Sequence, residues 1–561
     1  MHSGESARVQ RGFALIALLS LAALISAFLI ASALNFTSAG ISNERAERSM
    51  NALRQAKAAL IAYAASEQWQ AYKGQQTDQP GALPCPDNND TGASSGVCSG
   101  AANRVGRLPW ATIGSSDFRD ASGERLWYAV SSSFYKNSAN IINSDTPGLL
   151  TVTGDAPASN VVAIVFAPGE ALSGQDRITQ HNLPAAYLEG FTATSPDYTF
   201  NAVATPSSTA NDRLLVITQA DLMAVVEPVV AARIERDIKP YIVQNYLNDP
   251  TNDFSWLGGY PFAAPWGAGP GQPQSNYKGD AATPTYRGLL PITREANWVG
   301  WQTSSISVTQ IAGGTGSSTV TSVDCSASTT SQISCQIGFS GGSGDRPAIQ
   351  LQATLLNAAK TFVNVAAPGD ETIMDSGGGV RGWSNTISPN PWIVDSTLQA
   401  NGNGAVVFAG RLINAASMGN AATITLPAPS YHPISDSADT TSGWFIANQW
   451  YRQTYYAIST GFAPGGVGSC NAVPAPPTAP ITPSCLMVNN LPPSYATSND
   501  KQVILVFAGR ALNGTPRPSG IFANYLENAN LSAAQNITPY VYEHRAGVPT
   551  SINDRVIVVS P

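Results

Sequence analysis

Residues able to do chemistry are sparse in this chain and poorly grouped. Histidine occurs only at His2, His181, His432 and His544, and no two stand in the H-x-x-x-H spacing that would put imidazoles on one helix face around a metal. The cysteines Cys85, Cys98, Cys325, Cys335, Cys470 and Cys485 fall as three neighbouring pairs, and no C-x-x-C occurs, so zinc ligation is disfavoured. Pairing neighbours closes the shortest loops at the least cost in chain entropy. The expected disulfides are therefore 85–98, 325–335 and 470–485, each worth about 3 kcal/mol in the loop-entropy account. They put the bulk of the protein in an oxidising compartment.

Two short patterns resemble catalytic or metal signatures. Gly338-Phe339-Ser340-Gly341-Gly342 fits G-x-S-x-G, but Cys335 precedes it and Ser-Gly-Asp-Arg-Pro follows, where a nucleophile elbow needs an apolar strand and then a helix. Asp87, Asn89 and Thr91 alternate like the first ligands of a calcium loop. Cys98 stands where the closing bidentate glutamate belongs, so a polar turn inside a disulfide loop is the plainer reading. Calcium is the one cofactor candidate. The glycine-rich stretches GGTGSS and DSGGGVRGW lack the lysine and helix of a phosphate loop. These residues predict no catalytic set and a non-enzymatic protein.

Composition narrows the classes further. Charged residues make up 12% of the 561 and the net charge is −7, with no basic block after residue 54, which excludes a nucleic-acid binder. Hydrophobic residues at 43% can build sizeable cores, while Gly 49 and Pro 39 suit a turn-rich exported chain of roughly three or four domains.

The elements that position such a protein begin at the N-terminus. Phe13 to Leu34 is uncharged, with Ser20, Ser26 and Ser32 as its only polar residues. As a helix it would be about 33 Å long, enough for a hydrocarbon core of about 30 Å, and Arg8 and Arg11 would hold its N-terminal end in the cytoplasm. Ala31-Ser32-Ala33 offers the competing reading of a signal-peptidase site. Downstream, residues 43–68 place Leu53, Ala56, Leu60 and Tyr63 on one helical face, with Arg45, Arg48, Arg54 and Lys57 off it.

Arg11-Gly12-Phe13, the uncharged run and the amphipathic helix together resemble the type IV prepilin and pseudopilin family. The later landmarks, GALPCP, GRLPW and GERLWYAVS, are similar to a subgroup of pseudopilin-like proteins over residues 8–135. The resemblance implies cleavage after Gly12 by a prepilin peptidase, Phe13 as the mature N-terminus, and packing of the apolar helix among other pilin subunits. Ala17 stands where the family carries a glutamate. A charge buried in the bilayer costs about 2.5–3.5 kcal/mol unless paired, and a subunit with none ahead of it has no amine to neutralise, which implies a minor, tip-proximal subunit.

An internal repeat organises the rest. Residues 160–174 (NVVAIVFAPGEALSG) align with 501–514 (KQVILVFAGRALNG) through one deletion that matches Val165-Phe166-Ala167 to Val506-Phe507-Ala508. Tyr187-Leu188-Glu189 matches Tyr525-Leu526-Glu527, NDRLLVI (211–217) matches NDRVIVV (553–559), and WYAVS (127–131) matches YYAIS (455–459), all in the same order. The apolar runs read as strands. Residues 220–247 read as a helix with Asp221 as N-cap, interrupted at Pro228 and Pro240.

The expected organisation is a leader 1–12, a transmembrane and amphipathic helix 13–68, a first head 69–219, a second head 220–300 and 436–561, and a β-rich insertion 301–435. The expected fold class is α+β: a long N-terminal helix, then two duplicated pilin-like α+β modules, the second carrying a sandwich-like insertion. The expected function is a non-enzymatic minor pilin or pseudopilin at the tip of a pilus or type II secretion pseudopilus. It would be anchored in the bacterial inner membrane with its heads in the periplasm or at the surface. The alternative is a secreted or anchored adhesin or carbohydrate-binding protein whose insertion meets a surface ligand.

Overall fold

The computed structural model describes residues 25–26, 40–66, 78–96, 98–193, 197–243, 246, 260–266, 274–279, 284–293, 301–330, 332–340, 346–355, 372–375, 380–382, 392–393, 405–410, 421–427, 434, 442–463, 469–471, 485–512, 514–535, 541–545 and 552–561. They fall in two compact units. The first is 1–66, 81–140 and 147–222; the second is 67–80, 141–146 and 223–561. Residues 78–80 and 141–146 pack with the second unit.

Helix α1 (40–65) opens the first unit. Nothing from Ile41 to Ser66 is glycine or proline, and alanine is abundant, so the backbone favours a helix. Leu53, Ala56, Leu60 and Ala64 are fully buried along one stripe, while Tyr63 is half-buried. Lys57 leaves the stripe to bond Asp221 Oδ2 and the Val216 carbonyl, both at 2.9 Å.

The sheet of this unit contains β1 (Val105–Arg107), β2 (Trp127–Val130), β3 (Leu150–Gly154), β4 (Ala158–Ala167), β5 (Phe191–Ala193), β6 (Tyr198–Ala202) and β7 (Arg213–Thr218). The strand order is β1-β2-β4-β3-β6-β5, with β7 also paired to β4. Strand β4 is buried from Val161 to Ala167 because it has neighbours on both sides, which is why its sequence reads as a continuous apolar run.

Helix α2 (Gln219–Arg233) follows β7 directly. Its cap is Thr218 rather than Asp221. Thr218 Oγ1 accepts the Asp221 N–H at 3.1 Å and Asp221 Oδ2 accepts the Thr218 N–H at 3.0 Å, a reciprocal capping box. Pro228 lies inside the helix without ending it. The ladder changes only at a π-turn, Ile234–Ile238, before Lys239–Ile242 with Pro240 in its first turn.

The second unit continues with β8 (Arg287–Leu289), β9 (Trp301–Ala312), β10 (Val320–Asp324), β11 (Gln332–Phe339), β12 (Ala348–Leu355), β13 (Thr372–Asp375), β14 (Val380–Gly382), β15 (Trp392–Ile393), β16 (Ala405–Gly410) and β17 (Ala421–Pro427). It closes with β18 (Thr454–Ile458), β19 (Met487–Asn489), β20 (Val503–Phe507), β21 (Val541–Glu543) and β22 (Arg555–Ser560). Strands β9 to β17 make two antiparallel sheets, ordered β10-β11-β17-β13-β14 and β15-β16-β12-β9. The remaining strands form the sheet β8-β18-β20-β22 and the parallel pair β19-β21.

The order β8-β18-β20-β22 repeats β1-β2-β4-β7, and the repetition extends to single bonds. Asp87 and Arg107 exchange both backbone bonds at 2.9 Å, and Ala264 and Leu289 exchange theirs at 3.0 and 2.9 Å. The Leu83 N–H donates to Phe134, and that of Tyr260 to Phe462. Tyr128 Oη donates to the Pro84 carbonyl, and Tyr456 Oη to that of Pro261. The register corrects the sequence alignment. Phe166 lies opposite Trp127 and Leu214, whereas Val506, not Phe507, lies opposite Tyr455 and Val556. The two strands therefore superpose without the deletion, and the matched Val-Phe-Ala triplets are one residue out of step. A one-residue slip would turn each side chain to the opposite face. Phe166 and Val506, in step, both face the core.

The expected fold class does not hold. Strand outweighs helix, 30% against 24%, a curled β half-barrel is present, and no long apolar helix leads the described residues. Among them no helix is long and apolar enough to cross a membrane, and apart from 25–26 the run Phe13–Leu34 lies outside them. The physical reason lies in the landmarks. Leu-Pro-Cys-Pro and Gly-Arg-Leu-Pro are sheet-edge contacts: a Cβ on Gly106 would sit 3.0 Å from the Asp87 carbonyl oxygen, and one on Gly288 would sit 2.2 Å from that of Ala264. Such motifs report how two strands close on each other, and they recur in the second unit behind α2.

Candidate binding site

The expected disulfides are formed: Cys85–Cys98, Cys325–Cys335 and Cys470–Cys485, with no free cysteine among the described residues. Gly12, Phe13 and Ala17 lie outside the described residues. In the loop of Asp87, Asn89 and Thr91, oxygens meet donors of the loop itself. Asp87 Oδ1 accepts the N–H of Asn89 and Thr91, its Oδ2 accepts that of Gly92 at 2.6 Å, and Thr91 Oγ1 donates to Asn89 Oδ1 at 2.7 Å. Among the described residues no cluster of three His, Cys, Asp or Glu could hold a metal. Ser340 Oγ accepts the Thr319 N–H at 2.7 Å, next to the Thr319 hydroxyl.

The polar chemistry that the structure does assemble was only half legible in the sequence. In the first unit Glu189 Oε2 accepts the consecutive N–H groups of Asn211 and Asp212 at 3.0 and 3.2 Å, and Asp212 Oδ2 accepts the Glu189 N–H at 3.2 Å. In the second, Glu527 Oε2 accepts those of Asn553 and Asp554 at 3.1 and 3.4 Å, and Asp554 Oδ2 accepts the Glu527 N–H at 3.4 Å. Burial first, and then the facing glutamate, pushes Asp212 up to about 8 and Asp554 up to about 7. Each unit also has an arginine under a tyrosine. Arg177 lies 4.8 Å from the Tyr187 ring and donates to the Gly169 and Ala186 carbonyls; Arg517 lies 4.2 Å from the Tyr525 ring and donates to those of Gly509 and Asn524. The signal for these latches was the survival of Tyr-Leu-Glu and Asn-Asp-Arg in both copies while the strand residues around them changed.

An open groove of about 390 Å³ lies beside the first latch. Helix α1 gives it Ile41, Ser42, Arg45, Ala46 and Ser49. The turn after β4 gives Gly169 and Glu170, the segment leading into β7 gives Asn211, and the first residue of β7 gives Arg213. The turn is fixed from below: Asn211 Nδ2 donates to the Glu170 carbonyl at 2.7 Å, and the Gly169 N–H donates to Asp120 Oδ2 at 2.8 Å. Arg45 bridges to Glu170 at 3.1 Å, but their side chains are 62% and 71% exposed, so the pair is worth no more than about 1 kcal/mol. Arg213 has no carboxylate within ion-pair distance among the described residues. The groove therefore carries two guanidiniums, one carboxylate and several hydroxyls, a set suited to holding an anion by charge-assisted hydrogen bonds. No protein-family model, curated protein or solved structure matches the chain.

Proposed function

We propose that this chain is a non-enzymatic, extracytoplasmic assembly subunit, a minor pilin or pseudopilin delivered through its N-terminal apolar segment and placed near a filament tip. The observation that carries the reading is the sequence Arg11-Gly12-Phe13 with an uncharged run to Leu34, followed in the chain by the amphipathic residues of α1. The three disulfides support an oxidising compartment for both units. Bulky heads with separate cores suit a subunit used once in a thin fibre rather than stacked along it. Mass spectrometry of the mature protein tests the reading. A chain beginning at Phe13 is expected, and one beginning at Leu34 or at Met1 overturns it.

One observation favours adhesion as a second reading. Strand β9 is twelve residues long, carries no charge, is largely exposed and stands at a sheet edge. Glycan-array binding by the full chain would support that reading, and its absence would remove it.

A further inference from the structure

We propose that the groove beside the first latch receives a carboxylate group from a ligand outside the chain. The second unit shows what such a site looks like when filled. There Glu227, 2% exposed, directs Oε1 at the N–H of Arg510 and at Ser144 Oγ (2.9 Å), and its Oε2 accepts from Arg510 Nη1 at 2.9 Å. Arg555 stands within its field. The repeat maps Arg510 onto Glu170 and Arg555 onto Arg213, because Asn553 Nδ2 donates to the Arg510 carbonyl as Asn211 Nδ2 donates to that of Glu170.

In the first unit part of that wall, the backbone of Glu170 and Arg213, is present without an acid from the helix. Arg213 lines the groove, and among the described residues the Glu170 N–H has no acceptor. The helix that faces them offers Arg45, Ser42 and Ser49 and no carboxylate. One group departs from the pattern. Glu170 replaces the guanidinium of Arg510, and its carboxylate is turned to Arg45 in an exposed pair that costs little to rearrange. Asp120, the carboxylate beneath the turn, is taken by the N–H groups of Gly169, Ser122 and Glu124. An incoming carboxylate would complete the arrangement that Glu227 completes internally. The inference does not depend on the N-terminal segment.

Purified full-length protein at low ionic strength should bind an end-blocked Ala-Ala-Glu-Ala-Ala peptide, and lose about tenfold or more when the Glu is Gln. Arg213→Gln should produce a similar loss. Ala46→Glu, which supplies an acid from the helix side, should abolish binding while the protein stays folded. N-acetylglutamate serves as a second probe. Binding equal to the peptide's identifies a free small carboxylate as the ligand, and binding of the peptide alone identifies an acidic polypeptide. Equal affinity for the Glu and Gln peptides, no binding of either probe, or unchanged binding in Arg213→Gln overturns the proposal.

Discussion

Asp212 and Asp554 are each buried against a facing glutamate, and this sets how the two latches respond to pH. Both carboxyls sit above the 3.8 of an ordinary aspartate, at about 8 and about 7. A carboxyl raised on folding stabilises in its protonated form. The contribution is complete below 3.8 and is lost as the pH rises through those folded values. Thermal melts between pH 5 and pH 9 should therefore show the wild type weakening on the alkaline side. The double variant Asp212→Asn and Asp554→Asn keeps an acceptor for the glutamate N–H and should flatten that decline. Parallel slopes for the two proteins would show that folding does not raise these two carboxyls.

At the scale of elements, α2 is held at its start by two side chains. Thr218→Ala removes the hydroxyl that accepts the Asp221 N–H and should cost about 1 kcal/mol in urea unfolding, with Thr218→Ser restoring most of it. Asp221 was legible as a helix start, but Thr218 was hidden because it also ends an apolar strand. Much else at this scale could be read directly. The apolar runs VVAIVF, LLVI, VILVF and VIVV are β4, β7, β20 and β22, and the stripe Leu53-Ala56-Leu60 is the buried face of α1. The register could not be read. Strand β4 is buried over seven consecutive residues and β20 over all five, so neither offers an alternation to count, and identical triplets drew the alignment one residue off. The groove was equally invisible, since it depends on which of several scattered arginines a turn brings beside α1.

For the whole molecule, the three disulfides each join cysteines 10 to 15 residues apart within one unit, so each should act independently on the unit that holds it. Replacing Cys85 and Cys98 together by Ala should lower the stability of the first unit by about 3 kcal/mol and leave the unfolding of the second in place, seen as two separated transitions in calorimetry. A single transition shifted as a whole would mean the two units melt together. The fold class was misread because the motifs that suggested it are local. They specify how a strand meets its neighbour, and that requirement is met by sheets in more than one architecture.

The same bond for bond correspondence has a historical consequence. Phe262, edge-on to Tyr286 at 5.6 Å, occupies the place that Cys85 occupies in the first copy. After an ancestral segment doubled, one descendant sealed that corner with sulfur and the other with an aromatic ring. Exchanging such residues between the halves would show whether each corner accepts the other's closure.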